Sequence, residues 1–466
     1  MMRGRWWLLI VMTLFLGGCL QAAPRPDALS FPPLEFKVPQ VERFETANGS
    51  RVYLQEDFEL PLVELTAVIS GGTLNDPANK VGLVSVFAST LRAGGAGSYT
   101  PRELDEQLEL MAANLAVGAD QGAVTISLSL RQEDLDRGMV ILANLLRRPR
   151  FDEQRFELVR SQAREGIRRR DDEPSSVAHR KLTAAVYGDH PLGRESTLET
   201  IDSLSRADLL SHYRRFFHPN NLRIAVSGAV TRERLSALLK QHLGDWLKQD
   251  FRSQQNPPLQ PPESTRLFVN DKQIPQTTVL MGHLGLKRSD PDFFAVRVMN
   301  YILGGGGFNS RLMREVRSNR GLAYSVYSYY MGGQILPGMF IAGCETRNDA
   351  VIETVQLIRS LMEQMREQPV SREELSLAKE SIINSFVFAF ADSHDVVERT
   401  LRLEMFDYPE GYLETFRDKI ASVTIEDVQR AAQTYLRPDD MQIVLVGDQG
   451  AFAAPPELLG LPIQRN

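Results

Sequence analysis

The amino-acid sequence predicts an α+β protein of two homologous halves, each a mixed or antiparallel sheet with helices packed on it. Three observations lead there. A helix ending in an aromatic residue, a proline turn and a strand ending in glycine occur twice. The first copy runs from His212 through Pro219 to Gly228, the second from Ala432 through Pro438 to Gly447. Both the prolines and the glycines are 219 positions apart. Each half also opens with short strand patterns and continues into long helical ones. Between the halves lies a polar stretch, 249–265, carrying Pro257, Pro258, Pro261 and Pro262, which reads as an extended linker. A chain of 466 residues is long for one core and natural for two.

The elements follow in order. Alternating residues at 51–54 and 63–69 read as strands, followed by helices at 81–91 and 103–113. A strand at 123–130 alternates Val124, Ile126 and Leu128 with Thr125, Ser127 and Ser129, and helical patterns follow at 134–147 and 152–170. That strand is a plausible sheet edge to which a peptide adds by β-pairing. The second half opens with strands at 266–269 and 277–281 and a helix at 292–303. A strand near 338–342 and helices at 348–367 and 371–391 complete it. The expected organisation is a leader at 1–19, a tether at 20–40, a first domain at 41–250 and a linker at 251–265. A second domain at 266–450 and a tail at 451–466 follow.

Composition excludes several classes. Hydrophobic content of 43% and charged content of 24% are those of an ordinary globular chain. A formal net charge of −6 offers nucleic acid no general attraction. Only Cys19 and Cys344 are present, so a cysteine zinc cluster is excluded and an internal disulfide is not expected. Cys344 reads as a buried strand thiol. At the N-terminus, Arg3 and Arg5 precede an apolar run from Trp6 to Leu16, too short to span a bilayer but suited to a signal peptide. The run ends in Leu16-Gly17-Gly18-Cys19, which resembles a bacterial lipobox with Cys19 as the lipidated residue. The alternative is an ordinary cleaved signal with a chance cysteine. Leu20 is not the Asp that favours inner-membrane retention. The resemblance therefore implies an exported chain, lipid-anchored in the outer membrane and facing the periplasm.

The stretch 309–330 carries the candidate chemistry. Leu312, Met313 and Val316 fit one face of a short helix, Asn319-Arg320-Gly321 reads as its stop, and Tyr324 to Tyr329 as a strand. Arg317 is thereby placed in the last helical turn and Tyr324 near a strand start. Two rigid elements can aim a guanidinium and a phenol at one carbonyl oxygen. The competing reading is an arginine complementing the helix dipole and a core tyrosine.

Taken together, the motifs resemble the pitrilysin/insulinase family of zinc metallopeptidases, in particular its bacterial processing-peptidase-like branch. The carriers in the first half are Asn48-Gly49, Gly71-Gly72-Thr73-Leu74-Asn75-Asp76-Pro77, Gly82-Leu83 and the stretch Tyr187 to Arg194. In the second half they are Gln276-Thr277, Arg288 to Asp292, Leu303 to Gly306, Ser310-Arg311-Leu312 and Arg320 to Ser325. The resemblance covers nearly all of the chain beyond the leader and implies two related domains closing as a clamshell around a substrate cavity. Active members carry HxxEH directly after the Gly-Leu pair. Two histidines one turn apart hold the metal and the glutamate activates its water. The matching positions here are Ser85, Ala88 and Ser89, and the third ligand position falls on Gly166 or, one residue earlier, Glu165. None of the seven histidines forms a replacement pair.

By contrast, Arg317 and Tyr324 match the Arg/Tyr pair thought to contact substrate in active members. The resemblance therefore implies a non-zinc subunit, not active alone, which lends that pair in trans to a partner chain. The partner is an HxxEH-bearing paralogue in a heterodimer that carries the zinc. The substrate is peptide or unfolded polypeptide, and no cofactor belongs to this chain. The alternative is a proteolytically inactive structural or assembly protein of the cell envelope.

Four lesser motifs read as structure. Gly304 to Gly307 lacks a following Gly-Lys-Ser/Thr and is no phosphate loop. Arg168 to Arg170, followed by Asp171, Asp172 and Glu173, is a solvated helix end. His190-Pro191 is a turn, and Asp392 to Asp395 a helix boundary.

Overall fold

The computed structural model of the chain describes residues 36–250, 257–262 and 264–465. Two six-stranded sheets share one plan. The first comprises β1 (Glu42–Glu45), β2 (Arg51–Glu56), β3 (Leu62–Ser70), β4 (Asn114–Ala119), β5 (Ala123–Arg131) and β6 (Leu222–Gly228), ordered β1-β2-β6-β3-β5-β4. The second comprises β7 (Leu267–Asp271), β8 (Gln276–Leu284), β9 (Ala323–Tyr330), β10 (Met339–Arg347), β11 (Gln442–Gly447) and β12 (Ile463–Arg465), ordered β12-β7-β11-β8-β10-β9. In each sheet the opening strand lies parallel to the strand that closes the repeat (β2 with β6, β7 with β11). The long second strand lies antiparallel to both its neighbours. Pro219 and Pro438 each open a short turn before the closing strand, so the repeat in sequence is a repeat in space.

The plan differs at one edge. The first sheet ends in the antiparallel β1, supplied by the chain before β2. The second ends in β12, laid parallel to β7 by the last residues of the chain. The segment expected as a tail therefore contributes a strand. A second correction concerns the candidate peptide-pairing edge at 124–130. That strand, β5, is internal, hydrogen-bonded to β3 on one side and β4 on the other. The edge belongs to β4, whose small residues Ala116, Gly118 and Ala119 gave little strand signal.

The helices do not stay with their own halves. Pro174–Tyr187, from the first half, packs on the second sheet. Its Val177, Ala178, Leu182, Val186 and Tyr187 form one buried cluster with Leu280, Ile341, Val444 and Val446. Leu182 is fully buried there, and a Cβ on Gly282 of β8 would come within 3.1 Å of its Cδ2. The glycine makes room for the incoming side chain. Losing a leucine of this kind costs about 2–5 kcal/mol.

The second half returns a helix, Ser393–Met405, across β2 and β6 of the first sheet. Its contacts are polar as well as apolar. His394 Nε2 lies 2.8 Å from Thr66 Oγ1 and its Nδ1 3.0 Å from Ser227 Oγ. Glu404 accepts from Tyr53 Oη at 2.7 Å and from Arg43 Nε at 2.5 Å. Ser393 Oγ donates to Asp57 at 2.5 Å. Asp392 caps the helix by accepting from the backbone N–H groups of His394 and Asp395, which fits the expected helix boundary. Cys344 is buried in β10, and burial pushes its thiol up to about 12.

Burial also leaves an acid-sensitive core. His212 packs against Phe87 and Phe216, and His283 stacks 5.0 Å from Phe340. Desolvation drops both imidazoles to about 4. Asp76 acts in the opposite sense, its carboxyl raised by burial to about 6. The two histidines are neutral in the fold and protonate first in the unfolded chain. Their contribution is therefore complete above the ordinary histidine value and lost as pH falls toward 4. Asp76 recovers part of this below pH 6. Denaturant midpoints should fall between pH 7 and pH 5, each histidine contributing up to about 2 kcal/mol of loss. A midpoint that holds or rises on acidification would contradict this account.

Candidate functional site

The helix Leu83–Ala93 carries Ser85, Ala88 and Ser89, the positions that match the family's HxxEH motif. Its start is fixed by Asp76, which accepts from the backbone N–H of Gly82 (Oδ2, 2.7 Å) and of Val84 (Oδ1, 2.9 Å). Leu83, Val84, Val86, Phe87 and Leu91 bury the core face. Ser85 and Ser89, one turn apart, are exposed, while Ala88 is 2% exposed. Ser85 and Gly166 line one cleft of about 370 Å³ with Arg170, Arg180 and Glu195. Nothing stands within 4 Å of where a Cβ on Gly166 would lie. Glu165 is committed elsewhere, paired with Arg169 at 2.6 Å and Arg168 at 3.7 Å. Of the two alternatives for the third position, Gly166 is thus the residue in the cleft with Ser85.

The cleft's one carboxylate is shared by its two arginines. Glu195 takes Arg180 at 2.9 Å and Arg170 at 3.5 Å. Arg170 also donates to Ser196 O at 2.7 Å. Hydroxyls on Ser85 and Ser89 and hydrogen on Gly166 supply none of the imidazole or carboxylate donors that zinc takes. Among the described residues no group of three or more His, Cys, Asp or Glu is placed to hold a metal ion.

Arg317 and Tyr324 stand on neighbouring elements at the edge of the second sheet. Residues Met313–Asn319 wind as a π-helix, wider than an α-helix, with Met313 and Val316 buried and Arg317 in the last turn. Gly321 turns the chain, and Tyr324 follows as the second residue of β9. The preceding glycines are positional. A Cβ on Gly304 would lie 2.5 Å from Ser328 N and 2.6 Å from Leu312 Cδ1, so the loop packs backbone against strand.

The guanidinium of Arg317 lies between two rings. Its Cζ is 4.5 Å from the Tyr324 centroid and 4.7 Å from that of Phe308. Both aromatics face solvent, Tyr324 at 80% exposure and Phe308 at 72%. Nearby arginines are spent on carboxylates. Arg311 grips Glu374 bidentately (2.8 and 2.7 Å), Arg314 meets Glu315 and Arg320 meets Glu353. Arg317 has no carboxylate at ion-pair distance among the described residues. Both rings are within cation–π range, and with no ion pair among the described residues its N–H groups are available to an incoming acceptor. The alternative of a core tyrosine does not describe Tyr324, whose ring is on the surface. Phe308 was not singled out in the sequence. Its only signal is a large aromatic set directly after four glycines.

Comparison with known proteins gives the following. Residues 51–200 match the family model described as Insulinase (Peptidase family M16), and residues 203–382 that described as Peptidase M16 inactive domain. A Mycobacterium leprae protein named an uncharacterized zinc protease is 30% identical over 322 residues, 65% of this chain and 68% of its own. A Helicobacter pylori protein named a non-peptidase homolog is 23% identical over 406 residues, 85% of this chain and 92% of its own. A crystal structure of a peptidase M16 inactive domain from Pseudomonas fluorescens superposes with a TM-score of 0.80 at 26% identity. It covers 88% of this chain and 98% of its own.

The cleft geometry makes a direct prediction. The wild-type chain should take up no zinc at micromolar metal, whereas Ser85→His, Ser89→His and Gly166→Glu together should bind about one per chain. Metal analysis after gel filtration reads this. Equal zinc in both proteins, or none in the variant, would show that the three positions do not converge.

Proposed function

The chain belongs to the insulinase family of peptidases, and on that basis we propose that it is the non-zinc subunit of a two-chain peptidase. One observation carries the reading. The chain presents a half-buried arginine, held between the exposed rings of Phe308 and Tyr324 and with no carboxylate at ion-pair distance among the described residues, while its own metal positions hold only Ser85, Ala88, Ser89 and Gly166. The partner is an HxxEH paralogue whose zinc supplies the activated water. This chain supplies donors. Arg317 offers guanidinium N–H groups to a peptide carbonyl, and Tyr324 offers its phenol to the same backbone. Donors already in place when the carbonyl becomes an oxyanion stabilise it without reorganisation. Peptides or unfolded segments are the substrates.

The second reading, a proteolytically inactive structural or assembly protein of the envelope, draws on the Helicobacter relative's name as a non-peptidase homolog. Peptide hydrolysis by each chain alone, by the mixture, and by the mixture with Arg317→Ala separates the two. The expected result is cleavage by the mixture only, with kcat lowered roughly 10²-fold by the substitution. A paralogue equally active alone, or a silent substitution, would favour the scaffold.

The cellular site is part of the same proposal. Cys19 lies outside the described residues, and its lipidation rests on Leu16-Gly17-Gly18-Cys19. Labelling cells with a radioactive fatty acid should mark the full chain and not Cys19→Ala, and the label should fractionate with outer membrane. Equal labelling of both, or none of either, would leave an ordinary cleaved signal.

A further inference from the structure

The second half contains a cavity of about 840 Å³, large enough for a drug-sized ligand. It opens between the end of β9, the helices Phe293–Asn300 and Tyr412–Ser422, and the exchanged helix Ser393–Met405. Its walls are aromatic, with Phe293, Tyr330, Phe386, Phe406, Tyr412 and Phe416 among them. Its charges are unequal. Four arginines line it (Arg288, Arg297, Arg399 and Arg402) against two carboxylates, Asp395 and Glu398. Glu398 is taken by Arg402 at 2.8 Å, and Arg402 reaches on to Asp120 at 3.2 Å. Arg288 donates its Nε to Gly332 O at 3.0 Å.

Arg297 is the arginine of this set that lies against the aromatic wall. Its Cζ lies 5.0 Å from the Phe416 centroid, and among the described residues no carboxylate stands at ion-pair distance. Its accessible surface faces this cavity. Desolvation, with the charges of Arg288 and Arg399 behind it, holds its pKa below the ordinary arginine value. Tyr412 pulls the other way without reversing the shift. Arg297 is an exposed residue whose guanidinium rests on one ring and has no counter-ion among the described residues, so an entering anion meets a charge that nothing in the fold has paired. A planar fork of donors suits a carboxylate in particular.

We propose that this cavity binds a carboxylate borne on an apolar or aromatic body, the carboxylate on Arg297 and the body among Phe293, Tyr412 and Phe416. The C-terminus of a peptide and a free aromatic acid share that chemistry. Nothing in this site calls on Arg317, Tyr324 or a partner chain, so it goes beyond the two-chain reading and stands or falls separately from it.

The test is calorimetry on the full chain in detergent, with three probes. These are a hexapeptide ending in phenylalanine as free acid, the same peptide as C-terminal amide, and N-acetylphenylalanine. The free-acid peptide or N-acetylphenylalanine should bind, with the amide weaker by about 10- to 100-fold, the range for a hydrogen bond to a charged group. Whichever acid binds tighter identifies the source. Arg297→Met, which keeps the apolar stem, should erase the preference for the acid while leaving the Tm unchanged or higher. Acid and amide binding alike, no acid binding at all, or acid binding undiminished in Arg297→Met would each overturn the proposal. So would a lower Tm in that variant, which would assign the arginine to packing.

Discussion

Each sheet is covered on one face by a helix from the other half, and the rest of the architecture depends on that exchange. One face of the second sheet is covered by Pro174–Tyr187 from the first half, and the first sheet receives Ser393–Met405 from the second. Buried apolar area is the largest favourable term in folding. Here part of it is realised only when both halves are present. The polar side of the exchange adds specificity. His394 reaches one hydroxyl on β3 and another on β6, so the incoming helix has one register in which both are satisfied. A half folded alone would expose Leu280, Ile341 and Val444 on one side, or leave Thr66 and Ser227 without this partner on the other. The two repeats therefore belong to one compact unit from Val38 onward, although the sequence divides them cleanly.

That division explains what was legible in the sequence and what was not. The strands β2, β3, β5, β6, β8 and β11 were readable because each alternates or runs apolar between turn residues, and Pro219 and Pro438 mark the same turn twice. The exchanged helices were not. Pro174–Tyr187 mixes Val177, Ala178 and Leu182 with His179, Arg180 and Lys181, so no stripe stands out. What makes its apolar face meaningful is a sheet contributed from a hundred residues further along. Periodicity reports which residues are buried and never against what. The misplaced edge has a similar origin. β5 looked like an edge because it alternates, yet Thr125, Ser127 and Ser129 lie in an internal strand whose polar face also receives the exchanged helix, with Arg402 within reach of Thr125. The strand beyond it was hidden by Ala116, Gly118 and Ala119.

At the candidate sites the balance is different. The pair Arg317 and Tyr324 was readable because a helix stop at Gly321 and a run of tyrosines fix the elements carrying them. The environment that isolates the arginine was not. Whether an arginine is spent depends on carboxylates brought in from elsewhere, such as Glu374 for Arg311 and Glu353 for Arg320. Neither pairing can be read from spacing along 311–320. Arg297 makes the same point more strongly, since its surroundings assemble from four separate segments.

The two halves share one sheet plan and carry different sets of candidate residues on it. In the first, everything that forms the helix Leu83–Ala93 remains: the Asp76 cap, the buried face from Leu83 to Leu91, and the crossing helix with open space above Gly166. The positions that differ from a metal-binding set hold small residues: Ser85 and Gly166 face the cleft, Ser89 is exposed, and Ala88 packs into the core, so the fold is left intact. In the second, a guanidinium is kept between Phe308 and Tyr324, an arrangement with little to offer stability. An exposed cation–π contact contributes about 0.5–1 kcal/mol, and two large rings remain in water to provide it. Packing accounts for the first set of residues. It does not account for the second, and this inequality is why the function is argued from Arg317 rather than from the cleft.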